Sequence, residues 1–367
     1  MKVQKIRLPN SDRVTWTVLG DDYLPIRPVE QFISYLESIE RSPNTIRAYA
    51  YHLKLFWEFL RDNCLEWTQI QISDLAEFIA YLRYPQPGIA TLREQQSLRT
   101  EATVNAIVTS VFMLYDYQER LGIVRGIPIY TEQMQPGRRY KSFLHHINKS
   151  KPIRTKLIKL KEPRRKPKTL TQEQVQELIA ACDRARDKFL VALLYESGMR
   201  IGQALGLRHE DIKSWDNIIR IVPRTDNSNG ARAKTKEIYD IHISKELMSY
   251  YTEYLLREFD ECESDYVFVN LWDGVIGQPM KYNAVADLFR RLSAKAGFKV
   301  HCHMLRHTHA TELIRSGWDA AHIQKRLGHA QVQTVLNTYT HLEDEDMKEA
   351  YKDYLEKRDN KDGNIKN

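Results

Sequence analysis

The chain has 367 residues, 42% of them hydrophobic and 28% charged, enough for two domains that each bury a core. It has no apolar run of about 18 residues, its N-terminal MKVQKIRLPNSDR lacks a secretory core, and Cys64, Cys182, Cys262 and Cys302 form no CxxC pair. A membrane span, a signal peptide, a disulfide framework and a cysteine-rich zinc site are therefore not expected, whereas a reduced cytoplasmic setting is.

Residues 1–24 show weak periodicity and read as an N-terminal extension of unassigned role. From 25 to 128 the pattern is helical. Val29, Phe32, Ile33 and Leu36 recur at helical spacing. Ser42 and Pro43 read as a helix start, a hydroxyl cap followed by proline where no N–H is needed. Ile46, Tyr49, Leu53, Phe56 and Leu60 carry that helix for about five turns. Ser73 is expected to cap a third helix with Leu75, Phe78, Ile79 and Leu82 inward. A fourth spans Ala102 to Arg120, with Val104, Ile107, Val108, Val111 and Tyr115 inward, and ends near Gly122. Ser42, Asn44, Thr45, Arg47 and Lys54 give the second helix a polar, basic N-terminal face, which suits phosphate as well as it suits an ordinary capped surface.

The net charge of +7 is unevenly placed. Between Gln135 and Lys168, 13 Lys or Arg against one acid, Glu162, put +12 in one stretch and leave −5 for the rest. Residues 129–167 therefore read as a basic linker. Arg164, Arg165 and Lys166, set between Pro163 and Pro167, and Lys168 just beyond, are expected to run extended and to meet a polyanion.

The region from 168 onward is expected to be α-rich with a small antiparallel sheet. Thr171 to Gln174 form a capping box ahead of Val175, Leu178 and Ile179. Phe189 to Tyr195 is apolar helix, Ser197-Gly198 breaks it, and Arg200 follows. Asp216 to Val222 and Lys236 to Ile243 read as strands around the turn Asp226 to Gly230, with Lys234 near the start of the returning strand. Helices resume at about Ser244–Phe259 and Lys281–Ala296.

Seven of the 12 histidines lie between His301 and Leu342. His303, Arg306 and His307 share one helix face with Ala310, Leu313 and Ile314, which predicts that the trio faces the interior or a cleft. A guanidinium there needs an anion, and arginine suits a phosphate fork. Histidines at this spacing can also ligate zinc, but Arg306 among them repels a cation and no HExxH glutamate is present, so no metal is expected. Asp319 caps a short helix that Gly328 ends, His329 follows, and a further helix carries Val332, Val335, Leu336 and Tyr339 on one stripe. Singly, each has an ordinary explanation: Tyr339 as a half-buried core residue, His329 as a packed histidine, IQKRLGHAQVQTVLNTY as a helix-turn-helix.

Together they are more specific. His303-Met304-Leu305-Arg306-His307, Leu327-Gly328-His329 and Thr338-Tyr339-Thr340-His341 resemble the motifs of the tyrosine site-specific recombinases, the phage integrase family. SGMRIGQALGL around Arg200 is similar to the first arginine box, Lys234 to the catalytic lysine, and SPNTIRAYAYHLKLFWEFL to the core-binding domain. Gln203 departs from the pattern, because the family commonly carries an acid three residues after the first arginine. Lys236, two positions from Lys234, is the other lysine of that hairpin.

The resemblance implies a two-domain DNA clamp: a helical core-binding domain at 25–128, a catalytic domain at 168–342 and a C-terminal helix and tail at 343–367 that docks on a neighbouring protomer. The apolar stripe of Met347, Ala350, Tyr351, Tyr354 and Leu355 by itself equally suits a terminal helix packed on its own domain. It implies Tyr339 as nucleophile, Arg200 and Arg306 gripping the phosphate, His303 as base or proton relay, Lys234 as acid, and His329 as a phosphate hydrogen-bonder with His307 in support. It implies double-stranded DNA and a homo-tetramer, with accessory recombination proteins as further partners, no cofactor, and a phage- or transposon-borne enzyme of bacterial cytoplasm. Type IB topoisomerase-like relaxation and an idle DNA-binding regulator of the same fold are the alternatives.

Overall fold

The computed structural model describes residues 1–7, 14–84, 97–124, 130–133, 153–156, 158–163, 167–224, 226–233, 235, 237–259 and 262–328. It is mainly helical with small antiparallel sheets, and it divides into two compact units, Met1–Arg164 and Arg165–Asn367. No helix among the described residues is long and apolar enough to cross a membrane.

In the first unit, strands β1 (Lys2–Arg7) and β2 (Val14–Leu19) form an antiparallel pair in which Lys2 faces Leu19 and Arg7 faces Val14. Val18 is fully buried in the same core as the helices, so this part of the extension is built into the unit. Its strand buries Thr15 and Thr17 along with Val18 and leaves Val14 and Trp16 only partly covered, so the buried face is not the apolar one. The helices are α1 (Arg27–Ser38), α2 (Pro43–Asp62), α3 (Ile72–Arg83) and α4 (Glu101–Arg120). Proline occupies the first position of α2 as expected, but the Ser42 side chain makes no cap hydrogen bond. Nor does Ser73 cap α3: it lies inside the helix, and Asp74 accepts the Gln71 N–H at 2.8 Å. Phe56 meets Phe78 and Tyr115 edge-on, and the Tyr115 hydroxyl donates to Trp67 O at 2.7 Å, which satisfies its polar end within the core.

The stretch read as a basic linker is tied down in places. Strands β3 (Tyr130–Gln133) and β4 (Ile153–Lys156) pair antiparallel. Asn105 on α4 donates to Leu160 O at 2.9 Å and Glu162 Oε1 at 2.7 Å, and it accepts the Leu160 N–H at 2.9 Å.

In the second unit, α5 (Gln172–Ala180) opens with the expected capping box: Thr171 Oγ1 accepts the Gln174 N–H, and Gln174 Oε1 accepts the Thr171 N–H. Helix α6 (Ala185–Ser197) is the central element, with Phe189 to Leu194 all buried. A helix apolar all round must be enclosed. The short α7 (Ile201–Ala204) leads into a three-stranded antiparallel sheet of β5 (Ile212–Lys213), β6 (Ile218–Ile221) and β7 (Tyr239–His242), in that order. Strand β6 starts later than expected because Asn217 takes a positive φ of 53° at the turn after Ser214–Asp216. The remaining helices are α8 (Lys245–Tyr254), continued by a π-helical turn at Leu255–Phe259, then α9 (Tyr282–Ala296), α10 (Cys302–Arg315) and α11 (Ala320–Leu327). Thr308 on α10 accepts the Leu170 N–H at 2.9 Å, fixing the start of this unit to the helix that carries Arg306.

Candidate active site

Two chain breaks converge on one point. Helix α6 ends at Gly198 (φ +62°) and α11 ends at Gly328 (φ +61°), both left-handed as a helix-terminating glycine allows. A Cβ on Gly198 would lie 2.6 Å from His309 Cδ2 and 2.7 Å from Leu327 Cδ2, so the two ends approach too closely for any side chain. Each break presents carbonyls, and the carbonyls hold arginines. Arg306, on α10 and 2% exposed, donates from Nη1 to Gly198 O at 2.7 Å and from Nη2 to Leu327 O at 3.0 Å. Arg200, half-buried at the start of α7, donates from Nη1 to Gly328 O at 3.3 Å. Carbonyl oxygens fix the plane of a guanidinium fork, and a guanidinium stays protonated in proteins.

The predicted inward face of α10 is graded. Arg306 is buried and His307 half-buried, but His303, at the first turn, is exposed. The His303 and His307 rings meet edge to face, with centroids 4.4 Å apart. Burial, then the nearby His303 and Arg306, push the His307 pKa down to about 4, so it stands neutral at neutral pH. Among the described residues no group of three or more His, Cys, Asp or Glu side chains is gathered to hold a metal.

Arg326, in the last turn of α11, was not singled out from the sequence, where a basic residue near a helix C-terminus has an ordinary explanation. It donates from Nε to His309 Nε2 at 3.0 Å, from Nη1 to His242 O at 3.1 Å and from Nη2 to Glu196 O at 3.0 Å. One side chain thereby ties α11 to α10, β7 and α6 just before the Leu327 and Gly328 carbonyls. His309 must carry its proton on Nδ1 to accept this bond. Burial, then Arg326 and Arg306, lower its pKa to about 3.

Lys234, His329 and Tyr339 lie outside the described residues, as does Lys236. The chain on either side of Lys234 is described. A Cβ on Gly202 would fall 2.6 Å from Arg232 O, and one on Gly328 would fall 2.8 Å from Thr235 Cγ2. Of the expected DNA contacts, Arg164, Arg165 and Lys166 are also outside the described residues, and Lys168 is exposed. On α2, Asn44 and Arg47 are exposed, Ser42 and Thr45 half-buried, and the first turn carries no acid. Lys54, counted in the same basic face, is instead paired with Glu58 at 2.8 Å.

Residues 168–346 match the phage integrase family, and residues 29–107 match the phage integrase N-terminal SAM-like domain. Over 363 residues, 98% of this chain and 100% of the relative, the sequence is 46% identical to Transposase A from transposon Tn554 of Staphylococcus aureus. It is 28% identical over 324 residues to tyrosine recombinase XerA of Pyrococcus furiosus, covering 88% of this chain and 92% of that protein. The solved structure of the Tn1549 transposon integrase with transposon right end DNA has the same fold, with a TM-score of 0.62 at 16% identity, covering 89% of this chain and 99% of that one.

Proposed function

The chain belongs to the phage integrase family, the tyrosine recombinases, and from that premise we propose that it is the transposase of a mobile element, cutting and rejoining double-stranded DNA through Tyr339. The observation that carries the reading is the placement of Arg200 and Arg306 on the adjacent carbonyls of Leu327 and Gly328. Two fixed cations side by side suit the non-bridging oxygens of one phosphodiester and the added charge of its pentavalent transition state.

The Tyr339 hydroxyl attacks phosphorus, and the 5′-oxygen leaves. A phenol has a reference pKa of about 10, so His303 takes its proton, and Lys234 gives one to the departing oxygen. His329 donates to a phosphate oxygen, and neutral His307 supports His303 by ring contact. The phosphotyrosine is left on the 3′ side. Because the covalent bond conserves the phosphodiester energy, rejoining consumes neither ATP nor metal. The basic residues Arg164, Arg165, Lys166 and Lys168 and the N-terminal face of α2 grip the duplex. Four protomers, each docking its C-terminal helix on a neighbour, synapse two sites in the bacterial cytoplasm.

The 46% identity with a transposase over nearly the whole chain favours strand exchange over simple relaxation. A supercoiled plasmid carrying two copies of the element's joined ends tests this. Holliday junctions and exchanged products are expected, whereas relaxation without junctions would place the chain with topoisomerase-like enzymes.

A further inference from the structure

We propose that Tyr239 is a positioning residue of this site, one hydroxyl that links the Arg200 main chain, through Gln203, to the Gly328 turn whose carbonyls receive both guanidiniums. The proposal builds on the assignment of Arg200 and Arg306 as the phosphate grip. It also gives a role to Gln203, the residue that departs from the family pattern.

Gln203 is 3% exposed, and both ends of its amide are engaged. Its Oε1 accepts the Arg200 N–H at 2.8 Å, and its Nε2 donates to Tyr239 Oη at 3.0 Å. A neutral amide can accept and donate at once, whereas a carboxylate only accepts. The bridge therefore spans from the backbone of Arg200 to a side chain on β7. On its other side the same hydroxyl meets Gly328: a Cβ there would sit 2.5 Å from Tyr239 Oη. Gly328 is thus required twice, for its left-handed φ of +61° and for its lack of a side chain against Tyr239.

The contacts close a ring. The Arg200 main chain reaches Gln203, Gln203 reaches Tyr239, Tyr239 packs on Gly328, and Gly328 O receives the Arg200 guanidinium. Leu327 O, one residue earlier, receives Arg306. Displacing Tyr239 would free the Gly328 turn to shift, and with it the carbonyls that aim both forks. Burial raises the Tyr239 pKa, so the hydroxyl stays protonated and the ring holds through the neutral range.

The test uses the full chain and a nicked suicide duplex carrying an element end. It reads the single-turnover rate of covalent adduct formation at saturating protein, the DNA Kd, the Tm, and hydrogen exchange in segments 198–205 and 323–328. Tyr239→Phe, which keeps the ring, is expected to slow adduct formation roughly 10- to 100-fold, leave Kd and Tm nearly unchanged, and speed exchange in both segments. Gln203→Leu should behave the same way. Gln203→Glu, which can accept from both the Arg200 N–H and the Tyr239 hydroxyl, should restore most of the rate and the protection. Wild-type rate and exchange in Tyr239→Phe would overturn the proposal, as would rate, affinity and Tm falling together. If the wild type forms no adduct, the recombinase reading fails, and exchange in the two segments alone still decides whether Tyr239 holds this frame.

Discussion

Arg306 and Arg47 are both guanidiniums on helices that the recombinase reading brings to DNA, yet they are held in opposite ways. Arg306 is 2% exposed, and its fork is aimed by two main-chain carbonyls from two helix ends. Arg47 lies exposed near the start of α2, with its charge 5.9 Å from the Tyr51 ring centroid. The difference is between geometry and charge. Stabilising a transition state requires donors that do not reorganise, whereas gripping a duplex requires only that cations replace counterions along its backbone. A residue of the first kind is overdetermined by packing, and one of the second kind is not.

The sharpest way to break the contrast is Arg306→Lys. It keeps the charge but loses the fork and one or both carbonyl bonds, so adduct formation on a nicked substrate should fall roughly 10²- to 10³-fold with DNA affinity little changed. A rate within a few-fold of wild type would mean that charge alone suffices at this position.

A second test asks whether the buried side of the contrast shows in stability. His309 is 7% exposed and has its pKa lowered to about 3. Above its unfolded pKa of about 6.5 it is neutral in both states and contributes no pH dependence. As pH falls below that value the unfolded chain takes up the proton first, so folded-state stability is lost progressively toward the folded pKa. Between pH 7 and pH 5 this amounts to about 2 kcal/mol. Unfolding free energies from urea titrations of wild type and His309→Gln, which keeps an acceptor for Arg326 without titrating, should diverge by that amount between pH 7 and pH 5. Parallel pH profiles would contradict it.

The smallest expected effect is at the surface. Arg47→Ala should weaken DNA binding a few-fold, irrespective of sequence, and reduce the magnitude of the salt slope by about 1. Its adduct rate at saturating protein should match wild type. If six of the basic residues in Gln135–Lys168 meet phosphates, they contribute about −5 to that slope.

The same contrast explains what was legible in the sequence. Apolar stripes such as Val29, Phe32, Ile33 and Leu36, and the glycines at 198 and 328, announced helices and their ends because burial and left-handed φ admit few residue types. Arg200 and Arg306 stood out by motif, and helical phasing put Arg306 inside. The Thr171 and Asp319 caps were legible, two others less so. Ser42 and Ser73 had the right chemistry, but α2 begins on Pro43 without a hydroxyl bond and α3 uses Asp74 instead. At α3 two serviceable starts lie close together, Gln71 with Asp74 and Ser73, and local sequence does not choose between them. The Gln203–Tyr239 bridge and the Arg326 cross-tie were not legible at all. Each joins residues far apart in the chain, and tertiary packing alone makes them neighbours.

The most direct test of the central claim is trapping on a nicked suicide duplex, followed by mapping of the attached residue. Wild type is expected to give a covalent protein–DNA adduct with DNA on Tyr339, and Tyr339→Phe to give none while still binding the duplex. An adduct that persists in Tyr339→Phe would contradict the claim.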